Sequence, residues 1–357
     1  MKRFPTNRFT LIITISSAVV VAVICALFFG LITPIAPKTT AAAAPAKVRL
    51  TAADVASLPT ITLKGGGITA HVVPELSGRL MAIVPDGGTN LLWINKAPEI
   101  DLWGWDCYGG EKTWIGPQKA WTNLWADGRD WPTPPQFDGE PYETIGIGAG
   151  AIEMLSGTVP QWNMRVRRRV SVESNGIVRV WSRLEKSDAS APVPDIRFQN
   201  WSVAQFAPAS NVYARLSGMR RIYADPPSGW NPPTPLPEPA VVADGILRFD
   251  VSQIPFGKTG CKGYLDADAL ALEVSGGVLL ITHIPATEID PALAAAHPPE
   301  RAQIFLNTQS GVPKGSESYM ELEWAQPWPD SEHAVEYKFI PAESDKTAEE
   351  MILEALR

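Results

Sequence analysis

The sequence predicts an all-β protein, one large antiparallel β-sandwich, on three observations. Short runs rich in β-branched and aliphatic residues recur from Thr60 to Ala342, and clusters of Gly, Pro and Asp separate them as turns do. Two pairs of runs read as hairpins around glycine turns. The long 3.6-period apolar stripes of a βαβ protein are missing from the same region, so an open parallel sheet is not expected.

From the N-terminus, Lys2, Arg3 and Arg8 mark residues 1–8 as a basic cytoplasmic end. An uncharged apolar stretch follows, and residues 9–33 are expected to be a transmembrane anchor or signal sequence. The run fits the length of about 20 residues that a helix needs to cross a bilayer better than the shorter core of a secretory signal. The positive end would keep the start of the chain inside and carry the rest to the periplasmic or extracellular side, as a single-pass cell-membrane protein. Cleavage at Ala41–Ala44 is the alternative, and would give a secreted domain. Cys25 follows bulky Ile24, unlike a lipoprotein cysteine. Residues 34–58, rich in Pro and Ala, suit an extended spacer.

Residues 59–343 are expected to form the sandwich. Its strands are placed at Ile68–Val73, Gly78–Val84, Asn90–Asn95, Ile196–Val203, Val212–Leu216, Ile246–Val251, Gln303–Thr308, Tyr319–Trp324 and Val335–Ile340. Hairpins are placed at Met164–Val172 with Ile177–Leu184, and at Leu270–Val274 with Val278–His283. Two long segments rich in Trp and Pro, Asp101–Tyr142 and Asp225–Pro239, are not expected to be regular sheet, and their aromatics argue for ordered functional loops. Residues 344–357 are expected to form a short packing helix capped by Ser344 or Asp345.

A net charge of −7 argues against a nucleic-acid partner, and the basic run Arg165, Arg167, Arg168 and Arg169 reads as a solvated strand face. Cys107 and Cys261 either pair or stay as two buried thiols. Four histidines, none near another in sequence, point to no metal, and no cofactor is expected. Gly146–Gly150 lacks the spacing of a dinucleotide-binding turn and reads as a strand edge. Neither a nucleophile elbow nor a phosphate-binding loop is present in the sequence.

Two constellations carry chemistry. Trp103, Trp105, Trp114, Trp121, Trp125 and Trp131 are interleaved with Glu111, Lys112, Gln118, Asn123 and Arg129. Flat rings stack on sugar faces while amide, amine and carboxylate groups bond hydroxyls; the plain alternative is that the indoles pin a long loop to the sandwich. Glu321 and Glu323 share one face of a strand, where two neighbouring carboxylates hold a proton more tightly than one. For Glu321 a solvated face is the expectation. His283 ends an apolar run and either reaches a cleft mouth or is hydrogen-bonded at a strand end. His71, His297 and His333 carry no pattern.

Ile68–Pro74 leading to Ser77-Gly78-Arg79-Leu80-Met81 resembles the opening strands of the galactose mutarotase-like superfamily. The motif Tyr108-Gly109-Gly110-Glu111-Lys112-Thr113-Trp114-Ile115-Gly116-Pro117-Gln118, with Trp131-Pro132 after it, is similar to an uncharacterised bacterial branch of that superfamily. The resemblance implies a β-supersandwich with a sugar cleft on its concave face. In catalytic members two histidines and a late glutamate surround the anomeric carbon. Glu323 matches the glutamate; Tyr108 stands where one histidine is found, and Asn200-Trp201 where an Asn-His pair is found. The missing imidazoles put ordinary mutarotation in doubt, with Tyr108 a poor substitute acid.

The expected site is therefore Glu323 as base and Tyr108 as acid, with Arg79, Glu111, Lys112, Trp114, Gln118, Asn200, Trp201 and His283 as ligand-binding residues. The leading function is an exported carbohydrate-binding protein. The alternatives are an aldose epimerase or other sugar-modifying enzyme, in which Tyr108, Lys112 or His283 supplies the acid, and a ligand-free envelope module.

Overall fold

A computed structural model of the chain describes residues 50–100, 104–216, 234–235, 238–251, 261–285, 302–307, 317–329 and 331–357. The expected anchor or signal, the spacer up to residue 49, Trp103 and most of Asp225–Pro239 lie outside these residues. Among the described residues no helix is long and apolar enough to cross a membrane.

Nineteen strands form among the described residues. In chain order they are β1 (Ile61–Gly65), β2 (Ile68–Val73), β3 (Arg79–Pro85), β4 (Glu111–Gly116), β5 (Glu143–Gly148), β6 (Ala151–Leu155), β7 (Met164–Val172), β8 (Val178–Lys186), β9 (Gln199–Phe206) and β10 (Asn211–Leu216). They continue with β11 (Thr234–Pro235), β12 (Ala240–Ala243), β13 (Ile246–Asp250), β14 (Cys261–Leu265), β15 (Ala267–Val274), β16 (Gly277–Pro285), β17 (Ala302–Asn307), β18 (Tyr319–Pro327) and β19 (His333–Pro341). Nine strands make one sheet in the order β1-β2-β3-β4-β9-β18-β17-β14-β11, and ten make the other in the order β12-β13-β10-β15-β16-β19-β8-β7-β6-β5. Every neighbouring pair is antiparallel except β11 with β14. The all-β class therefore holds.

Alternation puts one face of each sheet into a shared core. Along β7, Met164, Val166, Arg168, Val170 and Val172 are buried between the more exposed Arg165, Arg167 and Arg169. Arg168 thus departs from the solvated face expected for the run: it crosses the core to Glu111 on β4, and both side chains are fully buried. Its guanidinium also donates to the Thr113 hydroxyl at 2.7 Å and the Gly78 carbonyl at 3.0 Å, while Ser202 Oγ donates to Glu111 at 3.0 Å. A buried charge survives only with such a set of partners.

Two segments differ from expectation. Asn90–Asn95 is not a continuous strand: it makes scattered backbone bonds and an isolated antiparallel bridge of Ile94 with Gly109, while the Asn90 side chain accepts from Ile83 N and donates to Met81 O, both at 3.0 Å. Within the Trp-rich segment, β4 is a strand deep inside the nine-stranded sheet, where a loop was expected. The glycine run that starts at Gly146 does lie at a sheet edge as expected, since it ends β5, the outermost strand of the larger sheet.

Three short helices complete the described fold: α1 (Ala52–Ser57), α2 (Pro135–Asp138) and α3 (Ala348–Leu356). Helix α1 lies where an extended spacer was expected, and Thr51 and Asp54 close a capping box on it. Thr347 caps α3 in place of Ser344 or Asp345, with Glu350 closing the box. Met351, Ile352 and Leu356 pack on Tyr213, Ile246, Ala269, Ala271 and Val278, on the ten-stranded sheet.

Candidate functional site

The centre of the nine-stranded sheet joins β4, β9, β18, β17 and β14, strands far apart in sequence. Pairing aligns their outward side chains in rows, because residues paired across strands share a face. One row is Lys112, Val203, Glu323, Gln303 and Tyr264. The next is Gln205, Glu321, Phe305 and Lys262. A third holds Trp114, Trp201 and Ala325. Glu111, Thr113, Asn200 and Trp324 occupy the alternate positions and face the core.

Two carboxylates and two ammonium groups meet on this outward face. Glu323 accepts from Trp201 Nε1 at 2.9 Å and from Lys262 Nζ at 3.1 and 3.0 Å. The Lys262 ammonium stands 5.2 Å from the Trp201 ring centre and 5.8 Å from that of Tyr264, a cation over two aromatic faces. Burial works against the charge on Lys262; Glu323, Tyr264 and Glu321 outweigh it and hold its pKa above the ordinary value.

Glu321 is buried, not solvated as expected from its alternation. One oxygen accepts from Gln205 Nε2 at 2.9 Å, and Lys112 Nζ lies 3.7 Å from the same oxygen. Burial pushes the Glu321 carboxyl up to about 7; Glu323 adds to the shift, and Lys112 opposes it. Burial likewise lowers the pKa of Lys112, against the pull of Glu321. The Lys112 ammonium has no hydrogen-bond acceptor among the described residues and sits 5.0 and 5.1 Å from the rings of Trp105 and Trp114.

The segment before and after β4 folds over this end of the face. Gly109 and Gly110 turn it into the strand with φ of 89° and 73°, values that glycine tolerates and other residues resist. Arg79 donates to Gly109 O at 2.8 Å and pairs with Asp138 at 2.6 Å, and Trp105 Nε1 donates to the other Asp138 oxygen. Trp114 meets Trp105, Trp121, Trp131 and Trp201 edge-on, with centroids 5.2–6.4 Å apart. Most of these indoles therefore act as packing, as the plain alternative had it, while Trp131 and Trp125 stay half-buried at the rim.

The residues proposed from sequence divide accordingly. Lys112, Trp114, Trp201 and Glu323 come together on the outward face, and Arg79 supports the loop over it. Glu111 and Asn200 turn the other way: Asn200 is bonded to Ser182 and to the Ser331 carbonyl. Tyr108 packs with Val73, Leu76 and Met81, and burial pushes its phenol up to about 12, away from use as an acid. Gln118 opens a 3₁₀ turn, Gln118–Asn123, and is half-buried. His283 lies in the core, 3.0 Å from His333 and stacked on Trp324, instead of at a cleft mouth. Two of the four histidines, far apart in sequence, are thus brought together by the pairing of β16 with β19. Cys107 is a buried free thiol, so it does not pair with Cys261. No group of His, Cys, Asp and Glu among the described residues is arranged to hold a metal ion.

Lys262, Gln303 and Gln205 escaped sequence reasoning. Lys262 sits in Cys261-Lys262-Gly263-Tyr264, whose alternation with Tyr264 was the one available signal.

Solved structures similar to this chain in fold include the following three. The aldose epimerase homologue from C. elegans is 11% identical, with 80% of this chain and 99% of that chain covered and a TM-score of 0.46. The galactose mutarotase-like protein from Clostridium acetobutylicum is 9% identical, covering 83% and 98%, with a TM-score of 0.41. The chain is similar to galactose mutarotase-like proteins. For the 4-alpha-glucanotransferase from Thermococcus litoralis the identity is 11% and the TM-score 0.41; 80% of this chain matches, and it spans 38% of that one. The likeness is one of fold. No protein-family profile and no curated protein matches the sequence.

Proposed function

We propose that this protein binds a carbohydrate on the outward face of its nine-stranded sheet, over Trp201, Glu323, Lys262, Gln303 and Tyr264. The observation that carries the proposal is the meeting of Glu323, Lys262 and Trp201. A carboxylate and an ammonium, each able to bond vicinal hydroxyls, stand beside an aromatic ring, on the part of the face where Lys262, Gln303, Tyr264 and Ala325 keep solvent contact. The pair is balanced in charge, which suits neutral sugars. Calorimetry with neutral and acidic mono- and oligosaccharides tests it: binding by wild type that Lys262→Met and Glu323→Gln each weaken at least tenfold is expected. Absence of binding to every sugar would leave the face a packing network, as in a ligand-free envelope module.

The export expectation belongs to the same proposal. The apolar run at residues 9–33 would carry the domain across the membrane and tether it there. Fractionation of cells producing the full chain tests it, with the domain expected in the membrane fraction and open to protease added from the outer side. Recovery in the cytosolic fraction would contradict it.

A further inference from the structure

We propose that residues 117–132 form a lid whose Trp121 occupies the place of a ligand ring against Trp201, so that a ligand reaches Trp201 only as the lid moves out. This rests on the carbohydrate proposal and adds the control of access to the same site. The face is closed at its β4–β9 end: Glu323 is fully buried and Trp201 is 6% exposed, while Lys262, Gln303, Tyr264 and Ala325 keep solvent contact.

Trp121 covers Trp201. Its ring lies 6.2 Å from the Trp201 ring with the planes 27° apart, and Trp114 meets Trp201 edge-on at 5.2 Å. A second indole and a ligand ring both bury an apolar face on Trp201, so they compete for it. Trp121 reaches this place from the 3₁₀ turn Gln118–Asn123, and its Nε1 donates to Ile115 O at 2.8 Å.

Beyond Trp121 the chain is tied to itself. Among the described residues, every hydrogen bond and ion pair of residues 122–130 ends within residues 117–132. Thr122 Oγ1 donates to Lys119 O, Leu124 N to Trp121 O, Trp125 Nε1 to Pro132 O and Gly128 N to Trp125 O, all at 2.8–3.0 Å. Arg129 pairs with Asp127 and stands 4.5 Å from the centre of the Trp125 ring. Asn123 and residues 126–129 are exposed. The flanks are held differently: β4 pairs with β9 over six residues, and Asp138 binds both Arg79 and Trp105. A segment bonded to itself, and attached to the body through rings, opens as a unit without breaking sheet bonds. An occupied stacking place lowers the apparent affinity by the fraction of molecules that are open, so weakening the occupant tightens binding.

Calorimetry and hydrogen exchange on the full chain test the lid. Trp121→Leu removes the stacked ring; Trp121→Phe keeps a ring but loses the bond to Ile115 O, and serves if the larger change does not fold. Each should bind the sugar that wild type binds, about threefold or more tighter. Unchanged or weakened binding in a folded variant overturns the competing role of Trp121. Without sugar, the amides of Ala120 and Leu124, both bonded inside the segment, should exchange together, about 100-fold or more faster than those of β4 and β9. Exchange as slow as in those strands overturns the lid. Sugar should speed these two amides further, because it holds the segment out; slowing them instead contradicts displacement. If neither wild type nor variants bind any sugar, the carbohydrate proposal fails and the competing role with it, while exchange alone still decides whether the segment opens.

Discussion

Adjacent residues Glu111 and Lys112 point to opposite sides of one sheet, and each is buried among different partners. Glu111 serves the core through Arg168. Removing one member of such a pair strands a buried charge, so Arg168→Met is expected to lower the unfolding free energy by about 3–5 kcal/mol in urea titrations. Replacing both Glu111 and Arg168 with apolar residues should cost less than that single change. Glu321 adds a pH signature. Its folded pKa is raised, so its contribution to stability is full below the unfolded value of 4.5 and is lost as pH rises through about 7. Between pH 5 and 8, Glu321→Gln should gain stability relative to wild type, on the order of 3 kcal/mol at most, in denaturation measured across that range. His333 acts in the opposite sense: burial lowers its pKa from 6.5 to about 3, so its contribution is present above 6.5 and lost as pH falls through 3. The acid limb should therefore flatten in His333→Gln. A composition with four histidines gives no hint of this, because the pair exists only through the register of β16 with β19.

At the level of elements, what the sequence shows well are strands with one wet face. The hairpin of β7 and β8 and the strand β2 fall where alternation of apolar and polar residues places them. Strand β4 does not, because every one of its residues is buried and it carries a charge on each face, leaving no alternation to read. Its polar residues look like loop chemistry until Arg168 and Glu321, distant in sequence, are seen opposite them. The turn into β4 is equally specific. A Cβ on Gly110 would stand 2.6 Å from the Leu80 carbonyl, and one on Gly109 would stand 2.4 Å from that of Trp93. Gly110→Ala is expected to lower the melting temperature by several degrees or more and to expose the indoles, seen as a red shift of tryptophan emission. A melting curve and emission spectrum like those of wild type would show that the turn tolerates a side chain.

Over the whole molecule, the class and the antiparallel layering were legible, since a chain of repeated short strands without helical stripes has few other ways to bury itself. The order of strands was not. It places β4, β9 and β18 side by side, and so decides which of the sequence's candidates meet: Lys112, Trp201 and Glu323 do, whereas Glu111 and Asn200 belong to the core. Lys262, which completes the face, comes from a strand whose sequence gives little warning of it. The central claim is that this face holds a sugar. Titration calorimetry of wild type and Lys262→Met against the same saccharide panel tests it most directly. A defined one-to-one isotherm for at least one neutral sugar, weakened at least tenfold in the variant, is the predicted result; identical isotherms for the two proteins, or no heat with any sugar, would contradict it.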